Sequence, residues 1–204
     1  MQSGTSYTYT ARGTLASQTS SAGTASYSFD AYGQQITAGP QTYTYDGLGR
    51  TITGTPSGGA PVTLSYSGAG STLASDGAST YTWDPSGGLI GVGAAGQGQP
   101  AGVLAFTDQH TDVTGEFTAS AAALTASVTY GPLGNVTATS GTAAGRLGYQ
   151  SGWTDSVTGN VNMGSRWYSP AAGQFTSRDT TSASPVPDSA AANPFAYVDA
   201  NPLT

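Results

Sequence analysis

Residues 43–50 read YTYDGLGR, and the reading of this octet decides the fold. Tyr43 and Tyr45 flank Thr44, so in an extended chain both rings project from one face, and all three residue types suit a pleated, half-buried surface. Asp46 then offers a carboxylate to the backbone N–H groups of a turn. Gly49, three residues on, supplies the positive φ that lets the chain reverse, and Ile52 resumes the apolar face. The same unit, aromatic-x-aromatic-Asp-x-x-Gly-x-x-aliphatic, recurs in Tyr27-Ser-Phe29-Asp30 with Gly33 and Ile36, and in Tyr81-Thr-Trp83-Asp84 with Gly87 and Leu89. Tyr7-Thr-Tyr9 with Gly13 and Leu15 repeats it without the Asp. Weaker copies run from Leu64-Ser-Tyr66 to Gly70 and Leu73, and from Val128-Thr-Tyr130 to Gly134 and Val136. Units starting at 7, 27, 43, 64 and 81 give one hairpin each, the mark of a repeat array.

Working outward, the whole chain has the composition of such an array. Of 204 residues, 30 are Gly and 11 Pro, and only 8% are charged where a globular domain carries roughly 25%. The expected fold is all-β: antiparallel β-hairpin repeats joined into a spiralling sheet ribbon, with a distinct C-terminal core region. The segments 54–61 (GTPSGGAP) and 91–100 (GVGAAGQGQP) read as loops, and only 118–127 and 189–195 have the composition for a helical turn. A net charge of −6 removes the basic footprint of a nucleic-acid binder. All five cationic residues are Arg, which excludes Schiff-base lysines, phosphate-loop lysines and Lys–Asn isopeptide crosslinks. Without Cys there is neither a disulfide framework nor a thiolate metal site, and no apolar run reaches 18 residues, so membrane insertion is not expected.

The tyrosine-aspartate unit resembles the YD repeat of RHS proteins, a bacterial family related to the C subunits of Tc toxin complexes and to the animal teneurins. The C-terminal third is similar to the RHS repeat-associated core, through Asp155, Thr158, Gly159, Arg166, Trp167, Tyr168, Pro170, Gly173, Phe175 and Asp179. The match continues through Asn193, Pro194, Phe195, Tyr197, Asn201 and Pro202. It divides the chain into YD-type hairpins (1–100), the last repeats (101–146) and the core (147–204). The resemblance implies a structural role: the repeats wind into a hollow shell, the core plugs one end, and a C-terminal toxin domain is held inside. It implies as partners the remaining shell and that toxin domain, a secreted or cell-surface location, and no cofactor.

In that family self-cleavage is attributed to aspartates of the core, since an aspartic-type cut needs two carboxyls sharing a proton. Asp179 is the residue carried over by resemblance as catalytic, in a single cut in cis rather than as a turnover enzyme. The plainer reading of Asp179, and the favoured one, is a turn aspartate bonded to Arg166 or Arg178. Asp155 and Asp199 are the nearby carboxyls, neither matched to a second catalytic position. The family's Asp-Pro is Asp179-Thr180 here, the Arg before its Phe is Gln174, and the Asp-Pro-x-Gly-Leu cleavage motif does not occur in these residues.

Other constellations have plainer readings. His110 stands between Asp108 and Asp112, but zinc wants three or four ligands and this is the sole His, so no metal site is expected. The turn aspartates Asp30, Asp46 and Asp84 stand singly, without the alternating spacing that gathers oxygens around Ca²⁺. Tyr7, Tyr27, Tyr43, Trp83 and Trp153 read as packing between strands. The alternative is an exposed row stacking on sugars, which would make the chain a carbohydrate-binding adhesion scaffold. A third reading is an interaction module that self-associates through open sheet edges, because almost no charge guards them.

Overall fold

The structure is a computed structural model and describes residues 4–95, 102–179 and 193–197. These form two compact units, one joining the residues up to Pro61 to the described residues from Val157 onward, the other running from Val62 to Ser156. The segment 147–204 is thus shared between units, with Leu147–Ser156 in the second.

In the first unit six strands follow one another as an antiparallel meander: β1 (Ser6–Tyr9), β2 (Leu15–Ser20), β3 (Gly23–Phe29), β4 (Gln35–Ala38), β5 (Gln41–Tyr45) and β6 (Thr51–Pro56). The second unit opens with β7 (Val62–Thr63). Its meander comprises β8 (Ser65–Tyr66), β9 (Leu73–Ser75), β10 (Ser79–Trp83), β11 (Leu89–Ala94), β12 (Val103–Thr107), β13 (Val113–Thr118), β14 (Leu124–Tyr130) and β15 (Val136–Gly141). The short β16 (Trp153–Thr154) belongs to the same unit. The antiparallel all-β reading holds throughout.

The octet at 43–50 folds as its residues dictate. Asp46 Oδ1 accepts the N–H groups of Leu48 (2.9 Å) and Arg50 (3.0 Å), Asp46 N–H donates to Arg50 O, and Gly49 at φ 78° donates to Asp46 O. These backbone bonds hold the Asp46 carboxyl below its ordinary value, with the Arg50 side chain reinforcing them. Asp30 and Asp84 make the same turn with the same pair of N–H groups. The register slips by one residue just before the turn at Tyr9, Phe29, Tyr45, Tyr66, Trp83, Thr107 and Tyr130. That bulge turns the second aromatic toward the preceding strand pair. Tyr45 Oη donates to Gln35 O and Trp83 Nε1 to Leu73 O, each at 2.7 Å and each ten residues back. The Tyr45 and Trp83 units are thereby latched to the hairpins before them.

This turn geometry makes a specific expectation. Asp84→Ala strips the acceptor from the Ser86 and Gly88 N–H groups and is expected to cost about 1–2 kcal/mol. Asp84→Asn keeps an Oδ1 acceptor and is expected to stay within about 0.5 kcal/mol of the parent. Urea denaturation of both variants checks the pair, and equal losses would show that charge rather than the N–H bonds holds the turn.

Three expectations about local structure need correction. Residues 54–56 belong to β6, where Thr55 and Pro56 pair with Thr42 and Gln41, and 91–94 belong to β11, leaving 96–100 outside the described residues. Glycine suits this strand because a Cβ at Gly91 would come within 2.8 Å of Val103 O, so the Gly-rich composition marked close strand approach rather than a loop. Residues 118–127 form the end of β13, a turn and the start of β14: a three-alanine run is too short to nucleate a helix against two waiting strands. For 189–195, the part from 189 to 192 lies outside the described residues, and Pro194-Phe195 forms a turn. Among the described residues a 3₁₀ turn lies at Tyr149–Ser151, with Gln150 and Ser151 at positive φ.

Candidate functional site

The site is built in the first unit by the chain's return. Strands β17 (Val161–Met163), β18 (Arg166–Ser169) and β19 (Gln174–Phe175) form a small antiparallel meander. It is clipped to the hairpins: Leu15 N–H donates to Thr176 O, Asn162 Nδ2 to Thr51 Oγ1 and Trp167 Nε1 to Tyr45 Oη. The Trp167 ring lies 4.4 Å from that of Tyr43, and Tyr168, Phe175 and Tyr197 pack as a ring cluster beside it. Burial pushes the Tyr45 phenol up to about 12, so it remains a donor to Gln35 O while accepting from Trp167.

Asp179 follows directly from this cluster. Its backbone N–H donates to Pro194 O (2.7 Å), while Phe175 N–H donates to Phe195 O, so the Asn193–Tyr197 segment is held along the same edge. The Asp179 carboxylate meets Arg166 at 2.9 Å, and the Arg166 guanidinium lies over the Phe175 ring at 3.7 Å. Burial lowers the Arg166 pKa and the Asp179 charge opposes that shift. The side chain of Asp179 is 39% exposed and faces a groove of about 600 Å³. Hairpin tips form the other walls: Thr10, Arg12 and Thr14 from the first turn, and Tyr27 through Gly33 from β3 and the second. Asp30 lines this groove, so the structure sets a second carboxylate on it that sequence reasoning assigned only to a turn. Nothing in the primary structure linked residue 30 to residue 179. Asp155 lies in the other unit and is 1% exposed, and Asp199 is outside the described residues.

In the second unit His110 serves as a clasp. Its ring contacts Asp112 Oδ1 at 3.3 Å and accepts from Gln150 Nε2, while Asp112 Oδ1 accepts the Gln150 N–H at 2.7 Å. Asp108 is spent on its own turn, accepting the N–H groups of His110 and Asp112. Among the described residues no three His, Asp or Glu side chains gather where they could hold a metal ion. The aromatic residues weighed for sugar stacking do not form one exposed row: Tyr43 and Trp153 are buried, and Tyr7, Tyr27 and Trp83 half-buried.

Buried carboxylates are what sequence reasoning overlooked in this unit. Glu116, 3% exposed, accepts the Ala144 N–H at 2.6 Å, and burial raises its pKa above the ordinary 4.5. A carboxyl whose folded pKa is raised adds stability below its unfolded pKa, and that contribution is lost as pH rises through the folded value. Glu116→Gln is therefore expected to be progressively more stable relative to the parent from pH 4.5 upward. Urea midpoints at pH 4 and 7 test this, and a difference that does not change with pH would rule the mechanism out.

The family model described as Teneurin YD-shell matches residues 1–198. Among solved structures, the Photorhabdus luminescens Tc holotoxin pore matches with a TM-score of 0.62 at 16% identity, covering 98% of this chain and 13% of that one. The crystal structure of TcdB2-TccC3 without its hypervariable C-terminal region matches at 13% identity and a TM-score of 0.44, over 100% of this chain and 17% of that one. The chain thus spans between 13% and 17% of the length of these two solved chains. No curated protein matches it.

Proposed function

Because the chain belongs to the Teneurin YD-shell family, we propose that it forms one stretch of wall in a β-sheet shell that encloses a toxin domain carried C-terminally on the same polypeptide. The structural shell role rests on the family and on one observation above all, the repeated hairpin latch. The second aromatic of the Tyr45 and Trp83 units ties its strand pair to the one before, so wall is added in register there. A wall of this kind needs no turnover chemistry. Its partners in this reading are the rest of the shell and the enclosed domain, and its place is outside the cell or on its surface.

Self-cleavage belongs to the same proposal. Asp179 would act once, in cis, as one carboxyl of an aspartic-type pair, and Asp30 lines the same groove. In the protein expressed from its intact gene, a cut near the core boundary that Asp179→Asn abolishes supports this, read by mass spectrometry of parent and variant. Both chains remaining whole would leave Asp179 as the partner of Arg166 and nothing more. Enclosure is tested separately by limited proteolysis: a C-terminal domain digested as fast as a free peptide would refute it.

A further inference from the structure

The groove that Asp179 shares with the hairpin tips also holds cations that form no ion pair among the described residues. Five arginines are the chain's only Lys or Arg residues. Arg50 pairs with Asp46, Arg166 pairs with Asp179, and Arg146 lies over the Trp153 ring at 5.8 Å. Arg12 and Arg178 are exposed and make no ion pair among the described residues, yet both line this one groove. Two spare guanidinium groups converging on one cleft are out of keeping with a chain of net charge −6. The carboxylates beside them are engaged: Asp179 by Arg166, and Asp30 Oδ1 by the N–H groups of Tyr32 and Gln34.

The rest of the lining mixes hydroxyl side chains (Thr10, Thr14, Ser28 and Ser177) with aromatic rings. Tyr27 and Phe29 come from β3, and Tyr32 stands 82% exposed at the tip of the Asp30 turn, in the place Arg12 takes in the turn before. A side chain held at the third position of this turn projects from the tip, because the Asp or Thr at the first and the Gly at the fourth are consumed by the turn itself. Two successive tips thus bring a guanidinium and a phenol to one groove, which Arg178 on the returning segment also lines.

We propose that this groove binds an extended acidic peptide segment, its carboxylates held by Arg12 and Arg178 and an apolar side chain seated on Tyr32. A planar guanidinium grips a carboxylate through two parallel N–H bonds, which fixes orientation as well as charge, and a volume of about 600 Å³ accommodates a few residues rather than a folded surface. The proposal rests on the shell reading for its source of ligand, an unfolded stretch of the enclosed domain, but its chemistry is read on this chain alone.

The test is fluorescence anisotropy of this chain with a labelled Gly-Asp-Phe-Asp-Gly peptide, its Asn counterpart and a uronic acid trisaccharide as competitor. Expected is binding of the Asp peptide that weakens with salt, and no binding of the Asn peptide. Arg12→Gln and Arg178→Gln should each weaken it by on the order of tenfold, and Tyr32→Ala by a similar factor, with unchanged circular dichroism because all three side chains are exposed. Equal binding of the two peptides, undiminished binding by the double arginine variant, displacement by the sugar at lower concentration than by unlabelled peptide, or no peptide binding at millimolar chain would each overturn the proposal. None of these outcomes bears on enclosure, which the proteolysis of the intact gene product decides independently.

Discussion

Asp76→Ala is expected to destabilise the protein by about 3–5 kcal/mol, lowering the melting temperature by roughly 10 °C. Asp76 is 2% exposed and accepts four hydrogen bonds in the second unit. Its Oδ1 takes the N–H groups of Ala78 (3.1 Å) and Ser79 (2.7 Å); its Oδ2 takes the Tyr81 hydroxyl (2.8 Å) and Trp153 Nε1 (3.2 Å). Burial, to which the Asp76 charge adds, pushes the Tyr81 phenol up, so it stays a donor. Its oxygen in turn accepts the Arg146 N–H, carrying the network onto the 144–156 segment. Removing the carboxylate takes the acceptor from four donors, of which the Ser79 N–H, the Tyr81 hydroxyl and Trp153 Nε1 are buried and carry the desolvation cost. Asp76→Asn keeps the Oδ1 bonds but sets an N–H₂ group against the Trp153 N–H, and about 2 kcal/mol is expected. An alanine variant melting within 2 °C of the parent would show that water replaces the carboxylate, and that Asp76 does not organise the unit.

Trp167→Ala carries the second large expectation, about 3–5 kcal/mol from the transfer and cavity terms of a large buried aromatic. Trp167 is 2% exposed and Tyr43 3%, and their rings meet at 4.4 Å. The substitution also takes a donor from Tyr45 Oη, whose own bond to Gln35 O is the hairpin latch. Trp167→Phe retains most of the ring contact and should lose about half as much. If the stack is the pin between the returning meander and the hairpins, Tyr43→Ala and Trp167→Ala will not add: the double variant should fall short of the sum by 1 kcal/mol or more, about the scale at which contacting residues couple. Strict additivity in urea titrations would mean that the two rings stabilise their strands separately.

These two effects mark where legibility ended. The hairpins were readable because every determinant lies within about ten residues. Tyr43 and Tyr45 set the face, Asp46 the turn and Gly49 the reversal, and the structure returns each in its place. The bulge at Tyr45 was not readable, because the one-residue slip emerges from pairing with β6. Asp76 was absent from the sequence reading altogether, since its partner Trp153 lies 77 positions away and an isolated Asp-Gly looks like any turn. Asp179 was found by resemblance, and its bond to nearby Arg166 was one of the two pairings the sequence offered, but the groove it shares with Arg12, Asp30 and Tyr32 depends on a return of the chain over more than a hundred residues.

The sequence by itself determined the class of fold, the hairpin as its unit and the turn chemistry, because aromatic alternation, Asx capping and positive-φ glycine act through bonds between near neighbours. Only the tertiary structure decided which strands the last third of the chain covers, which carboxylates are buried and which arginines remain unpaired. Burial and pairing are properties of what surrounds a side chain, and for Asp76, Trp167 and Arg12 the surroundings arrive from distant parts of the chain.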